Sequence, residues 1–392
     1  MAWLTDWLSL LARWFHLIVG AGWIGTSFYF NWLNNNVRPV DDDETGELAG
    51  ALWSVHGGAF YQVRKIKGAP RALPETLHWF KWEAYLTWIS GVSLLLLVYW
   101  MQAGTSMVPP GSDLAPWAAA SIGVGSLALG WVVYDLLCRS PLSRHPRVFA
   151  ALGFSLLCAA AWGLSELLSP RAAYIHVGAM VGTMMALNVF FVIIPGQKKM
   201  VDALLAGREP EIDAGAAGSL RSLHNNYFTL PVLFIMVSNH FPFTYGHTWG
   251  WAVLAGIALL GSIARHAFNL MDRGQDARWI LPVAALGMMG LAFVSHGPRP
   301  SVEGAEVPGF AEVGPIIEAR CVGCHAETPT FEGIAAPPLG LLLETPEQIR
   351  QAAPKIQAQA VDTQTMPLGN VTGMTDQERA VLGAWIAGGA PL

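Results

Sequence analysis

The sequence predicts an all-α protein in two parts: a polytopic eight-helix transmembrane bundle, then a small α-helical domain in water. Three observations lead there. Charged residues make up only 13% of the 392-residue chain and hydrophobic ones 53%, about half the charge of an ordinary soluble protein. Eight apolar segments, at about 7–33, 82–101, 115–138, 147–168, 172–195, 227–246, 248–270 and 279–297, suit a hydrocarbon core of ~30 Å. Charge then steps near residue 298. Residues 1–297 carry 17 acids and 18 bases, and residues 298–392 carry 11 acids and 5 bases. A net charge of -5 and four cysteines exclude a basic nucleic-acid binder and a disulfide scaffold.

Orientation follows from the Lys and Arg between segments. Links 1–2, 3–4, 5–6 and 7–8 hold 15 of them, Arg71 among them, whereas the opposite links hold only Arg171. The N-terminus and the C-terminal tail are therefore expected outside, in the periplasm of a bacterial inner membrane. The first segment lacks a basic n-region and a small-residue cleavage site, so it reads as a retained anchor. Pro298, Pro300, Gly304 and Pro308 mark a linker, 298–308, between a membrane domain, 1–297, and a tail domain, 309–392.

The segments also repeat. Gly25-Thr26-x4-Asn31 in the first matches Gly182-Thr183-x4-Asn188 in the fifth, with His16 and His176 upstream. Leu77-His78 before Tyr85-Leu86-Thr87 matches Leu223-His224 before Tyr227-Phe228-Thr229. Tyr134-Asp135-Leu136-Leu137-x-Arg139 matches Phe268-Asn269-Leu270-Met271-x-Arg273. Three matches in the same order suggest two four-helix halves of one topology.

In the tail, Cys321-Val322-Gly323-Cys324-His325 has the spacing of c-type haem attachment. Two thiols three residues apart reach the haem vinyl groups, and the adjacent imidazole meets the iron. Met366, before Pro367, is the expected second axial ligand, with Met374 as runner-up. A zinc knuckle would need further Cys or His ligands, and the tail has none beyond the motif. Residues 309–320 can form a helix into the motif. A last helix capped by Thr375 or Asp376 would pack Leu382 and Trp385 on it. Cys138 and Cys158, in membrane segments, read as packing residues.

Ionisable residues inside a bundle are costly and mark function. His16, His176, His240 and His296 fall toward the outer side, with His247 in the outer link. Several histidines in a bundle that carries a haem domain point to a second haem, b-type, held by His16 with His176 or His240. Toward the cytoplasmic side lie His56, His78, Lys81, Glu83, Asp135, His224, Asn225, Asn226, Arg265, His266 and Asn269. In link 1–2, Trp53-x-x-His56-Gly57-Gly58 is read either as backbone approaching a planar ligand or as an interfacial turn, its basic neighbours holding anionic lipid.

The chain resembles the bacterial membrane-bound urate oxidases (urate hydroxylases), which join an eight-helix domain to a C-terminal cytochrome c. The resembling stretches are Trp14-Phe15-His16 through Trp23-Ile24-Gly25, Phe28-Tyr29-Phe30, Trp53 to Gly58, Leu77 to Tyr85 and His224-Asn225-Asn226-Tyr227. In the tail they are Cys321 to His325, Met366 to Asn370 and Gly373-Met374-Thr375. The opening His-x6-Trp-x-Gly-x2-Phe-Tyr is also similar to a small haem-binding membrane protoporphyrinogen oxidase family, which favours His16 as a haem ligand.

The resemblance implies oxidation of urate to 5-hydroxyisourate, with electrons leaving through a covalent haem c. Urate, a weakly acidic purine, calls for a cation, amides and an aromatic face, and water addition calls for a general base. The cytoplasmic group offers Lys81, Asn225, Asn226, Arg265 and Asn269 for binding, Tyr61 or Trp79 for stacking, and Glu83, His56, His78, His224 or His266 as base. An outward-facing site near His240, His247 and His296 is the alternative. So are two other classes, a quinol or small-alcohol dehydrogenase anchor and a non-catalytic electron-transfer subunit. Nicotinamide, flavin and hydrolase motifs are lacking. The expected partners are the lipid bilayer and a soluble cytochrome c or terminal oxidase steered by the acidic tail; nucleic acid is not expected, and no signal sets an oligomeric state.

Overall fold

The computed structural model describes residues 2–40, 46–67, 70, 72–109, 111–210, 212–247, 249–295, 307–331, 334 and 336–392. His296, Arg71 and the linker residues Pro298, Pro300 and Gly304 lie outside the described residues. The chain is mostly helical. In the first 295 residues the helices are α1 (Ala2–Asn36), α2 (Trp82–Leu95), α3 (Pro116–Arg139), α4 (Pro146–Leu167), α5 (Pro170–Asn188), α6 (Ile212–Ser238), α7 (Gly250–Asp272) and α8 (Ile280–Ser295). Pro at the first position starts α3, α4 and α5, where its missing N–H costs nothing.

Among the described residues, six helices are long and apolar enough to cross a membrane: α1 to α5 and α7. The fifth runs unbroken from Pro170 to Leu205 through a wide turn at Val189–Ile193, ~54 Å at 1.5 Å per residue. It therefore extends well past the expected 172–195. α8 spans 16 residues, ~24 Å, short of a full crossing. The segment expected at 227–246 starts and ends earlier, at Ile212 and Ser238. Its polar first half is held by neighbouring side chains, which bond Arg221, His224, Asn225 and the Asn226 Oδ1, and so stays helical inside the bundle.

The expectation of an all-α chain fails in the link after α1. Leu48–His56 (β1) and Ala59–Ile66 (β2) form an antiparallel hairpin, with Trp53 opposite Gln62 and Val55 opposite Phe60. Gly57 and Gly58 both take positive φ, 59° and 79°, as a two-residue hairpin turn of matching twist requires. The glycine pair is thus a turn.

An apolar core fills one end of the bundle, from Leu95, Tyr99 and Met107 to Leu168, Tyr174, Ile235 and Tyr245. The Tyr174 hydroxyl donates toward the carbonyls of Thr244 and Gly250 there, 2.6 Å from each. α3 lies close along α5 because its glycines leave room. A Cβ on Gly123 would stand 2.5 Å from His176 Nε2, and one on Gly130 2.3 Å from Met180 Cγ. The repeat-related asparagines make related contacts. Asn31 of α1 donates to Asn269 of α7, 2.9 Å, and Asn188 of α5 donates to Tyr134 of α3, 3.0 Å.

The tail has its own core. α9 (Phe310–Ile317) continues through wider turns to His325, α10 (Pro346–Ile356) follows, and α11 (Asp376–Ala387) closes the domain. Val313 and Ile317 pack with the fully buried Leu382 and Trp385, and the Phe310 and Trp385 rings lie 6.3 Å apart. α11 begins with a capping box. Thr375 Oγ1 accepts from the Glu378 N–H, and the Thr375 N–H donates to Glu378 Oε2 at 2.7 Å, satisfying two helix-end donors at once. The tail rests on the apolar end of the bundle: Leu368–Asn370 packs against Ala103–Ser106, and Gln357–Asp362 against Pro242–Tyr245.

The Thr375 N–H, with Arg320 3.0 Å away, holds the Glu378 carboxyl below the ordinary carboxylate value. A depressed carboxyl stabilises the fold above its unfolded value, and that contribution is lost as pH falls through the folded value. Backbone hydrogen exchange over α11 should therefore rise on acidification below pH ~4.5, after correction for intrinsic rates. E378Q should show raised exchange already at pH 7 and little further change with acid.

Candidate functional site

At the end of the bundle opposite the tail, buried amides and two guanidinium groups replace the apolar core. They form two clusters, divided by the Asn225-Asn226 pair on α6. In the first, Arg221 of α6 is 4% exposed. It donates through Nη1 to Asn188 Oδ1, 3.1 Å, and through Nη2 to Asp135 Oδ1, 2.6 Å. Its guanidinium lies 4.9 Å from the Tyr134 ring. Asn188 Nδ2 also donates to Asn225 Oδ1 at 2.8 Å, and Asn225 Nδ2 donates to the Met185 carbonyl. Tyr134 Oη lies 2.9 Å from His224 Nδ1, and Phe149 stacks on the imidazole at 4.9 Å. Every member is partnered and the Arg221 charge is neutralised. This cluster is a lock joining α3, α5 and α6.

The second cluster is differently balanced. Asn226 Oδ1 accepts from Arg265 Nε at 3.1 Å and from Asn269 Nδ2 at 2.9 Å, and Asn269 Oδ1 accepts from Asn31. Two donors on one oxygen fix which way the Asn226 amide faces. Its Nδ2, in a residue 2% exposed, has no hydrogen-bond partner. Among the described residues Arg265 hydrogen-bonds only through Nε, and its guanidinium sits 4.3 Å from the Phe28 ring. The cluster therefore holds an unpaired cation and at least three unused donors. A buried donor without a partner costs about 1–3 kcal/mol, so this arrangement is suited to an acceptor-rich, anionic, flat ligand. Among the described residues Tyr227 and His266, which directly follow Asn226 and Arg265, pair with each other at 2.6 Å.

The other expected site residues are dispersed. His56 is exposed beside the hairpin turn, and His78 is exposed against Phe80 at 4.5 Å. Lys81 lies 5.7 Å from the Trp82 ring, and Glu83 carries a buried Oε2 without a partner. None of these four hydrogen-bonds to the Arg265 cluster among the described residues. Asn225 and His224 belong to the lock. Phe28, Asn31, Tyr134, Asn188 and Arg221 are members that reading by residue type passed over. Asn31 and Asn188 carry the signal that could have found them, being the equivalent asparagines of the repeat.

His16 and His176 occupy related places on α1 and α5. His16 Nδ1 is 2.9 Å from Ser90 Oγ. His176 is fully buried; its Nδ1–H donates to the Ala172 carbonyl, and its Nε2 accepts from Trp100 Nε1 at 3.0 Å. Both its ring nitrogens are thus occupied by protein groups. His240 is exposed just beyond α6.

The tail motif fits a haem. Cys321 and Cys324 lie one helical turn apart. His325 Nδ1 donates to the Leu341 carbonyl at 3.0 Å, which fixes the tautomer and leaves Nε2 as a free ligand atom. Burial pushes the Cys321 thiol up to about 12, whereas a redox dithiol needs a lowered one. Among the described residues no three His, Cys, Asp or Glu side chains group as a metal site, so the described residues form no closed zinc site. Met366 is half-buried at the edge of the tail core, its carbonyl held by Arg379 Nη1 at 2.8 Å. Met374 is buried within that core at 3% exposure.

The urate oxidase N-terminal family model matches residues 2–296, about three quarters of the chain, and the chain belongs to that family. The match ends where the tail begins. No curated protein and no solved structure is matched.

The two clusters should respond differently to mutation. D135A leaves the buried Arg221 without its counter-charge and should lower unfolding stability by about 3–5 kcal/mol. R139A, which breaks the neighbouring pair at a guanidinium 68% exposed, should cost no more than about 1 kcal/mol. Denaturant titration of the purified variants checks the contrast.

Proposed function

We propose that the chain is a membrane-bound urate oxidase that converts urate to 5-hydroxyisourate at the Arg265–Asn226 cluster and passes the electrons to a haem c in its tail. Family membership supports oxidation of urate, and the donor surplus around Asn226 supports that place for it. Urate is planar, anionic near neutral pH, and presents three carbonyl oxygens. Arg265 would supply the counter-charge, and its two free Nη groups and Asn226 Nδ2 would donate to urate oxygens. Asn269 and Asn31 hold the Asn226 amide in that orientation. The Phe28 ring, 4.3 Å from the guanidinium, would hold it beside the substrate through a cation–π contact.

The reaction takes urate and water to 5-hydroxyisourate, two protons and two electrons. The water must lose a proton as it adds. Of Glu83, His56, His78, His224 and His266, we assign that task to His266, which adjoins Arg265 in the chain and has Tyr227 to hold its ring. Cys321 and Cys324 would hold the haem covalently, and His325 Nε2 and Met366 would hold its iron. Bound there, a haem c supplies a one-electron acceptor.

The six long apolar helices support a multi-pass membrane protein. The tail rests on the end that the basic link residues avoid, which supports a periplasmic tail and a cytoplasmic substrate site in an inner membrane. Along α7, Arg265 lies about 22 Å from Gly250 at the tail end, so electrons need an intermediate station. A b-type haem held by His16 with His176 or His240 is our proposal for it. At His176 it would have to displace the Trp100 N–H. From haem c the electrons would go to a soluble cytochrome c or a terminal oxidase.

Urate added without oxygen to the oxidised full-length protein should reduce its haem c, read by visible absorption, whereas a quinol should not. Reduction by quinol alone would assign the chain to the dehydrogenase anchors instead. R265A and N226A should lower kcat/KM by about 10- to 100-fold each, the worth of a hydrogen bond to a charged partner. Acid-acetone extraction should release a non-covalent haem and leave haem c attached. Release of no haem would remove the b-type station.

A further inference from the structure

The hairpin after α1 has no role in the reaction above, yet it is firmly built. Gly50 takes φ +152°, and a Cβ there would stand 2.3 Å from the Arg38 carbonyl oxygen, so the root of β1 is pressed against the chain two residues beyond α1. Arg38 and Ala51 exchange both backbone hydrogen bonds, 3.1 and 2.9 Å. Lys65 Nζ reaches Asn34 Oδ1 at the end of α1. The hairpin is therefore a stiff continuation of that helix.

The register sorts its side chains. Residues directly opposite share a face, so Trp53, Val55, Phe60, Gln62 and Arg64 lie together. Trp53, Val55 and Phe60 are 64%, 69% and 77% exposed. The opposite face carries the partly buried Leu52, Ser54 and Val63 near the root, and the exposed Tyr61 and His56 toward the turn. Three bare apolar groups, two of them aromatic, share their face with Arg64, and the exposed Lys67 follows at the root of β2. This is the mixture that settles at a membrane interface: rings at the acyl boundary and cations at the phosphates.

We propose that the β1–β2 hairpin is an interfacial anchor. Its Trp53–Val55–Phe60 face enters the headgroup region of the membrane, and Arg64 and Lys67 meet anionic lipid phosphates. The proposal rests on α1 crossing that membrane, since the crossing places the hairpin root at the bilayer surface. By fixing the exit of α1, the anchor also fixes the helix that carries Phe28 and Asn31.

The test uses the full-length protein, with Cys138 and Cys158 replaced by Ala, in nanodiscs of phosphatidylcholine with and without phosphatidylglycerol. A nitroxide is attached at F60C, and its collisions with dissolved oxygen and with a water-soluble nickel chelate are compared. L129C, midway along α3, and V371C, on the tail, serve as lipid and water references. At F60C oxygen should exceed the chelate several-fold over the ratio at V371C, and more strongly with the anionic lipid. A ratio equal to that at V371C overturns the proposal. Shielding from both reagents also overturns it, because a protein, whether a partner or a second copy, then covers the face. An unchanged ratio on adding anionic lipid removes the phosphate contacts. If L129C itself reads as aqueous, the membrane reading of the bundle fails and the anchor fails with it, a result distinct from an aqueous F60C beside an apolar L129C.

Discussion

One oxygen atom organises the end of this molecule opposite the tail. Asn226 Oδ1 takes a hydrogen bond from Arg265 and another from Asn269, so α6 and α7 meet at a single acceptor, and Asn31 ties α1 to it through Asn269. A carboxylate in its place would have neutralised the guanidinium, and an apolar side chain would have left it unsupported. A neutral amide does neither. It orients the cation without cancelling it, and its own Nδ2 is left facing inward. The cost of keeping such groups dry is met elsewhere, in the tightly packed apolar core at the opposite end and in the Arg221–Asp135 lock.

The comparison of the two arginines explains why buried charge alone is a poor guide to function. Arg221 and Arg265 have similar burial and similar distances from an aromatic ring. One has an acidic partner and an acceptor for each terminal nitrogen; the other has a single amide. A fully partnered ionic group in a bundle holds helices in register, whereas a deficit of acceptors marks a place for something the chain does not itself provide. The same reasoning separates the tail histidine from His176. Each donates Nδ1–H to a carbonyl, but only His325 has its second nitrogen free.

Much of this was legible in the sequence and some was not. Helix positions followed from apolar length, because a bilayer core admits few alternatives. Arg265, Asn226 and Asn269 were singled out as polar groups with no other reason to lie in apolar helices. Their grouping was not legible, since it depends on which helices touch; His56, His78, Lys81 and Glu83 satisfied the same criterion and lie apart. The start of α6 lies earlier than apolar length alone indicates, because Arg221, His224 and Asn225 interrupt the apolar run and are held in the helix by partners on α3 and α5. Of the two readings of Gly57-Gly58, a ligand approach and a turn, the turn is the one the hairpin realises; the strands around it are legible only in the alternation of aromatic and branched residues that flanks the pair.

The contact between Gly369 and the bundle bears on how separable the two parts are. Gly369 takes φ +58°, and a Cβ on it would stand 2.8 Å from the Thr105 Cα, so the loop that follows Met366 meets a backbone surface with no room for a side chain. The family match stops before the tail, which makes the tail look like an interchangeable cartridge. Its seat is nonetheless cut to one shape. Another tail domain placed on this bundle would need a glycine at that place, and the junction would reject most candidates on shape alone.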